Sequence, residues 1–147
     1  MLLKAYAYRP LNYLIITMRK KVLMLDNDPE ILEVMKFALT YEEYEVVTVN
    51  KTECMFLVLK DFNPDIILID YLLDGINGGD VCNLLKSSEQ YSHIPIIMLS
   101  AYYRVIEMLG NYNCDIFISK PFDLSKLLQT ITGLIDNPFN EYNNMAG

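Results

Sequence analysis

The chain has 147 residues, 52 % hydrophobic and 21 % charged, with a formal net charge of −7. That is one domain's length, with enough apolar residues for a sizeable core. The acidic balance, with no Lys/Arg cluster beyond Arg19-Lys20-Lys21, argues against a basic face for nucleic acid, and no stretch reaches the roughly 18 apolar residues of a membrane span.

The chain begins with an N-terminal extension, residues 1–18. Its apolar run, Leu11 to Met18, stands between Arg9-Pro10 and three cations and lacks cleavage-site residues, so it makes a poor secretory signal. Met18 before "RKKVLMLD" reads as a more natural start. Residues 1–17 are therefore either an extension from an upstream start or a real apolar strand or helix packed on the domain. The main domain is 19–136. It opens with "KVLMLD", a continuous apolar run ending in acid, which suits a strand buried on both faces. Asp28-Pro29-Glu30 then signals a helix start, with Asp28 as N-cap and Pro29 in the first turn. Ile31, Leu32, Met35 and Leu39 follow at helical spacing.

Glu45 to Val49 reads as a second strand. Thr52 to Phe62 reads as a helix capped by Thr52, and Pro64 to Asp70 as a third strand ending in acid. Gly78 to Ser88 is a predicted helix and Ile94 to Ala101 a strand ending at a hydroxyl, Ser100. Tyr103 to Leu109 is a helix, Cys114 to Lys120 a strand ending in a cation, and Asp123 to Ile135 the closing helix. Residues 137–147 are an Asn-rich, flexible tail. Five strands alternating with five helices predict an α/β fold, a doubly wound five-stranded parallel sheet.

In such sheets ligands sit at the carboxyl ends of the strands. Those ends carry Asp26, Asp70, Ser100 and Lys120. Two carboxylates at a low-dielectric rim repel each other, and either Lys120 or a divalent cation would offset the repulsion. Carboxylate oxygens plus water suit Mg2+. A hydroxyl and an ammonium beside Asp70 could hold the oxygens of a phosphoryl group on that carboxylate. Singly, each residue has a plain reading: Asp28 caps a helix, Ser100 ends a strand, Lys120 is a surface cation. Four such residues on one predicted edge make a site.

In "LDNDPE", "PDIILIDYLLDGINGGDVC", "PIIMLSA" and "DIFISKPFD" the chain resembles the receiver domains of two-component response regulators. The resemblance covers about Lys20 to Ile135 and implies a flavodoxin-like fold with strand order 2-1-3-4-5. It implies Asp70 as phosphoacceptor, Ser100 as switch hydroxyl, Lys120 as partner of the phosphoryl group or acceptor, and Phe117 as switch aromatic. Mg2+, or Mn2+, would be held by Asp26, Asn27, Asp70 and the Leu72 backbone carbonyl, and Lys120-Pro121 would be a cis bond. Its partners would be a histidine kinase or phosphotransfer protein, and a downstream protein on the Tyr103–Ile135 face, with Tyr102, Tyr103 and Arg104 as candidate contacts. The expected protein is a cytoplasmic, stand-alone response regulator acting in phosphorelay signal transduction. It is a monomer or weak dimer with no direct nucleic-acid contact, and a switch with self-catalysed phosphorylation and dephosphorylation rather than an enzyme.

Departures from the family pattern modify this. Asn27 stands where a carboxylate is usual, so Mg2+ should bind more weakly, although an amide oxygen still ligates a hard cation. Asp74 replaces a common Pro and Asn77 a common Asp, with little effect expected. Neither Leu72 nor Tyr102 offers a group to orient a water, which implies slow self-dephosphorylation. Two rivals stand beside this reading. One is a degenerate receiver kept as a scaffold, supported by Asn27. The other is a haloacid-dehalogenase-like phosphatase with Asp26 as nucleophile and Asp28 as acid/base, which leaves Asp70 without a role. His93 reads as a solvated loop residue. Cys54, Cys82 and Cys114, widely spaced and with no C-x-x-C pair, read as reduced and mostly buried thiols rather than a zinc site.

Overall fold

The computed structural model describes residues 18–102, 104, 107–108, 110 and 112–138. Five short apolar segments form strands: β1 (Lys21–Leu25), β2 (Glu45–Val49), β3 (Ile66–Asp70), β4 (Ile96–Ser100) and β5 (Ile116–Ser119). Among the described residues four helices connect or follow them: α1 (Pro29–Tyr41), α2 (Thr52–Phe62), α3 (Gly78–Lys86) and α4 (Leu124–Asp136). The predicted helix Tyr103 to Leu109 falls largely on residues outside the described set, as do residues 1–17 and most of the tail. The strands run parallel in the order β2-β1-β3-β4-β5.

The central strands are apolar except at one end each, Lys21, Asp70 and Ser100, because both faces of the sheet are covered. Side chains alternate between the faces. Leu23, Leu25, Ile67, Ile69, Ile96 and Met98 pack with Met55 and Leu59 of α2 and Val81, Cys82 and Leu85 of α3. Val22, Met24, Ile66, Leu68, Ile97 and Leu99 pack with Leu32, Met35 and Leu39 of α1 and Leu127, Ile131 and Leu134 of α4. The four methionines on apolar runs, Met24, Met35, Met55 and Met98, all lie in these cores. Of the cysteines, Cys82 and Cys114 are buried and Cys54 is half-buried.

Helix starts follow local chemistry. The Asp28 carboxylate accepts hydrogen bonds from the Glu30 and Ile31 amides at 2.9 and 3.4 Å, and Pro29 opens α1. Asp123 caps α4 through the Lys126 amide at 3.0 Å. One expectation needs correction. Thr52 does not cap α2. It is the first helical residue, and Lys51 takes the extended cap position with no side-chain bond. Asn77 caps α3: its side chain accepts from the Asp80 amide at 2.9 Å and donates to the Asp80 carboxylate at 3.0 Å, a position that Asn and Asp fill about equally well. Asp28→Ala should cost about 1 kcal/mol of stability, the usual worth of an N-cap, measured by urea unfolding at neutral pH.

Candidate functional site

Strand register brings the polar groups together. Leu25 pairs with Ile69 across β1 and β3, so Asp26, just past the end of β1, stands beside Asp70, the last residue of β3. Both continue the alternation that faces α1 and α4. Lys120, one residue beyond β5, follows the same alternation as Ile116 and Ile118 on that face. Its amide donates to the Ser100 carbonyl at 2.8 Å, fixing the end of β5 against β4. From there the ammonium reaches Asp70 Oδ1 at 2.8 Å and Asp26 Oδ2 at 3.0 Å. The other Asp26 oxygen, Oδ1, accepts from the Asp28 amide at 2.9 Å. Asp26 is 1 % exposed and Asp70 5 % exposed.

The remaining predicted residues take different positions. Asn27 is exposed at the rim between Asp26 and the helix cap. Leu72, two residues past Asp70, has an exposed side chain, and its N–H hydrogen-bonds the Asp70 carboxylate. Ser100 is buried and continues the opposite alternation, that of Ile96 and Met98. Its hydroxyl oxygen accepts from the Tyr102 amide at 2.9 Å. Phe117, opposite Met98 in register, packs on the same α2/α3 side. The structure thus joins Asp26, Asp70 and Lys120 in one ionic cluster and sets Ser100 and Phe117 together on the other face. The Lys120–Pro121 bond is cis. Tyr102 and Arg104 are exposed, and Tyr103 lies outside the described residues. His93 is an exposed loop residue.

Two supporting groups escaped the sequence reading. One is the Asp28 amide that orients Asp26. The other is Gly78, where a Cβ would collide with the Asp70 backbone oxygen. The Gly-Gly pair at the start of α3 was the available signal, since consecutive glycines often mark a close backbone approach.

Electrostatics follow from this geometry. Burial, the largest influence, raises the Asp70 pKa above its ordinary 3.8; the Lys120 hydrogen bond opposes that, and the Asp26 charge adds to it. Burial alone would lower Lys120. Its hydrogen bonds to Asp70 and Asp26 outweigh burial, and its pKa is raised above 10.5. Two ionised carboxylates and one ammonium leave one net negative charge in the cluster. The two carboxylates on this edge offer oxygen, the donor type of a hard divalent cation. Among the described residues no group of three or more His, Cys, Asp and Glu side chains is placed to hold a metal ion, so side-chain carboxylates alone supply two ligands here.

Comparison with known proteins agrees with the geometry. The family model described as the response regulator receiver domain matches residues 22–132. The DNA-binding response regulator MtrA of Mycolicibacterium smegmatis is 30 % identical over 117 residues, covering 78 % of this chain and 50 % of that protein. The phosphate regulon transcriptional regulatory protein PhoB of Pseudomonas aeruginosa is 30 % identical over 118 residues, covering 79 % and 52 %. The chain therefore spans about half the length of these curated relatives. Among solved structures, the response regulator TrrA of Thermotoga maritima, in complex with Mg2+ and beryllofluoride, superposes with a TM-score of 0.70. It is 27 % identical and covers 78 % of this chain and 98 % of that one. Among the described residues no helix is long and apolar enough to cross a membrane.

A native pKa above the unfolded value means that the folded protein holds the Asp70 proton more tightly. Ionisation of Asp70 therefore removes stability as pH rises from below 3.8 through the native pKa. Asp70→Asn, which cannot ionise, should be more stable than wild type at pH 7 in metal-free buffer. The gap should narrow as pH falls toward 4, read from denaturant midpoints at each pH.

Proposed function

Because the chain belongs to the family of response regulator receiver domains, we propose that it takes a phosphoryl group onto Asp70 from a histidine kinase or phosphotransfer protein and thereby changes its affinity for a second protein. The observation that carries this reading is the Lys120 ammonium held 2.8 Å from Asp70 and 3.0 Å from Asp26. A half-buried cation beside a buried carboxylate nucleophile is what phosphoryl transfer needs, because that chemistry rests on positioning and charge neutralisation.

In this reading an Asp70 oxygen attacks the donor phosphorus. The new O–P bond forms as the P–N bond to the donor imidazole breaks, and the leaving nitrogen keeps the electron pair. Asp26, Asp70, the Asn27 amide oxygen and the Leu72 carbonyl would hold Mg2+ or Mn2+. When bound, the cation supplies further neutralisation of the phosphoryl oxygens. Asn27 in place of an acid makes the pocket one charge less negative and its hold on the cation weaker. Lys120 pairs with the phosphoryl group once Asp70 carries it as an acyl phosphate. Ser100 leaves the Tyr102 amide for a phosphoryl oxygen, and Phe117, on the same face, reorients into the space vacated.

The downstream partner would read the Tyr103–Ile135 face, to which the exposed Tyr102 and Arg104 are adjacent or belong. The domain acts as a switch that catalyses its own modification. It works in the cytoplasm as a monomer or weak dimer, and its acidic surface is suited to protein rather than nucleic-acid contacts.

Incubation with a small acyl-phosphate donor and Mg2+ should give wild type a hydroxylamine-sensitive phosphoryl adduct. Asp70→Asn should lose it entirely, and Asp26→Asn should keep it at a reduced rate. An adduct lost only in Asp26→Asn would instead support a phosphatase-type nucleophile at Asp26. Asn27→Asp should bind Mg2+ roughly tenfold more tightly, since ligand charge sets affinity at such sites, measured by calorimetry. Absence of binding in both proteins would favour a scaffold.

A further inference from the structure

The first turn of α3 is pinched between two parts of the molecule. Gly78 rests on the Asp70 backbone oxygen, which leaves no room for a side chain. Gly79 rests on the ring of Tyr112, where a Cβ would stand 2.5 Å from two ring carbons. Tyr112 lies in the turn that leads into β5, 33 residues further along the chain. Its ring also meets that of Tyr71, with centroids 5.9 Å apart and planes tilted by 46°.

Tyr71 is the residue between Asp70 and Leu72. Its carbonyl accepts from the Gly78 amide at 2.7 Å. The N–H of the same peptide, that of Leu72, hydrogen-bonds the Asp70 carboxylate. The Tyr71–Leu72 peptide is therefore held at both its polar ends, and the Tyr71 side chain is held by Tyr112. The turn that carries Tyr112 is itself in an uncommon shape. Tyr112 and Asn113 have φ of 50° and 60°, left-handed backbone that non-glycine residues seldom adopt. The Asn113 side chain donates to Asn83 of α3 at 3.0 Å, which ties this turn to the same helix. Strained backbone persists only where the surroundings over-determine it. Here those surroundings are α3 and Tyr71.

We propose that Tyr112 is a positioning residue of the metal pocket: its ring, seated on Gly79 and against Tyr71, holds the segment Asp70 to Leu72 so that the Leu72 carbonyl and the Asp70 carboxylate face one cation together. The inference rests on the Mg2+ reading of the site given above. The two phenol oxygens are 3.5 Å apart, a long contact. The ring rather than the hydroxyl is what holds the segment. Linkage then works in both directions: cation binding also orders the turn before β5.

The test is Mg2+ titration of the full chain by calorimetry, with thermal unfolding of each protein measured without metal and amide hydrogen exchange measured with and without it. Tyr112→Ala should bind Mg2+ about tenfold more weakly, the lower end of the cost of removing an outer-shell support. Tyr112→Phe, which keeps the ring, should stay within about twofold of wild type by the same reasoning. Gly79→Ala, which pushes the ring off its seat, should weaken binding as Tyr112→Ala does, and it serves if Tyr112→Ala does not fold. In wild type Mg2+ should slow exchange at residues 112–115, and in Gly79→Ala it should not. Wild-type binding with unchanged affinity in Tyr112→Ala and Gly79→Ala would overturn the inference and leave the metal reading standing. Equal weakening by Tyr112→Phe would overturn the ring seat. No Mg2+ binding by wild type would overturn both.

Discussion

One ammonium group governs the arrangement of this molecule. Lys120 stands within 3.0 Å of carboxylates from two neighbouring strands. Without a cation there, Asp26 and Asp70 would repel each other in a place where water screens little. The lysine arrives from β5, the edge strand on the far side of β4, so its reach depends on the sheet being closed in the observed order. The Lys120 amide bonded to the Ser100 carbonyl anchors that reach at its base. Removing the lysine would leave two carboxylates without a counter-charge, which is the costly outcome for buried ion pairs.

The site sits astride the sheet. Asp26, Asp70 and Lys120 continue the side-chain alternation that faces α1 and α4. Ser100 and Phe117 continue the alternation that faces α2 and α3. The two groups meet only at the strand ends, where β4 lies between β3 and β5. In the proposed switch, a change of charge on Asp70 would reach the aromatic on β5 through the end of one intervening strand. The route needs a hydroxyl that can change partners, and Ser100 is bonded to a backbone amide rather than to a charged group.

The opening acids of the site divide their tasks by geometry. Asp26 has one oxygen on Lys120 and the other on the Asp28 amide. Asp28 turns its carboxylate onto the first turn of α1 and is committed to the helix. Asn27 is exposed between them, free of either duty. The cluster keeps one net negative charge, which a proton, a cation or a phosphoryl group with its counter-ion can relieve. Burial is the main reason the Asp70 pKa is raised, and the Asp26 charge adds to it.

Much of this was legible along the chain. Continuous apolar runs ending in acid, hydroxyl or cation marked buried parallel strands, and Asp-Pro-Glu marked the α1 cap. The one misread cap is local too. Thr52 looked like a cap because a hydroxyl precedes an apolar run, yet the helix begins one residue earlier than that reading requires. Asn77 forms the Asn-x-x-Asp cap of α3, a role an Asp fills equally well. Tyr112 carried no signal, because its contacts with Gly79 and Tyr71 join residues far apart through an unusual turn. The sequence by itself determined which elements form and which polar groups stand at the strand ends, because periodicity and helix starts are short-range properties. Only the tertiary structure decided that one ammonium serves both carboxylates, that Ser100 and Phe117 share the opposite face, and that a tyrosine ring bears on the start of α3. Those are distances across strands and helices, and register and packing set them.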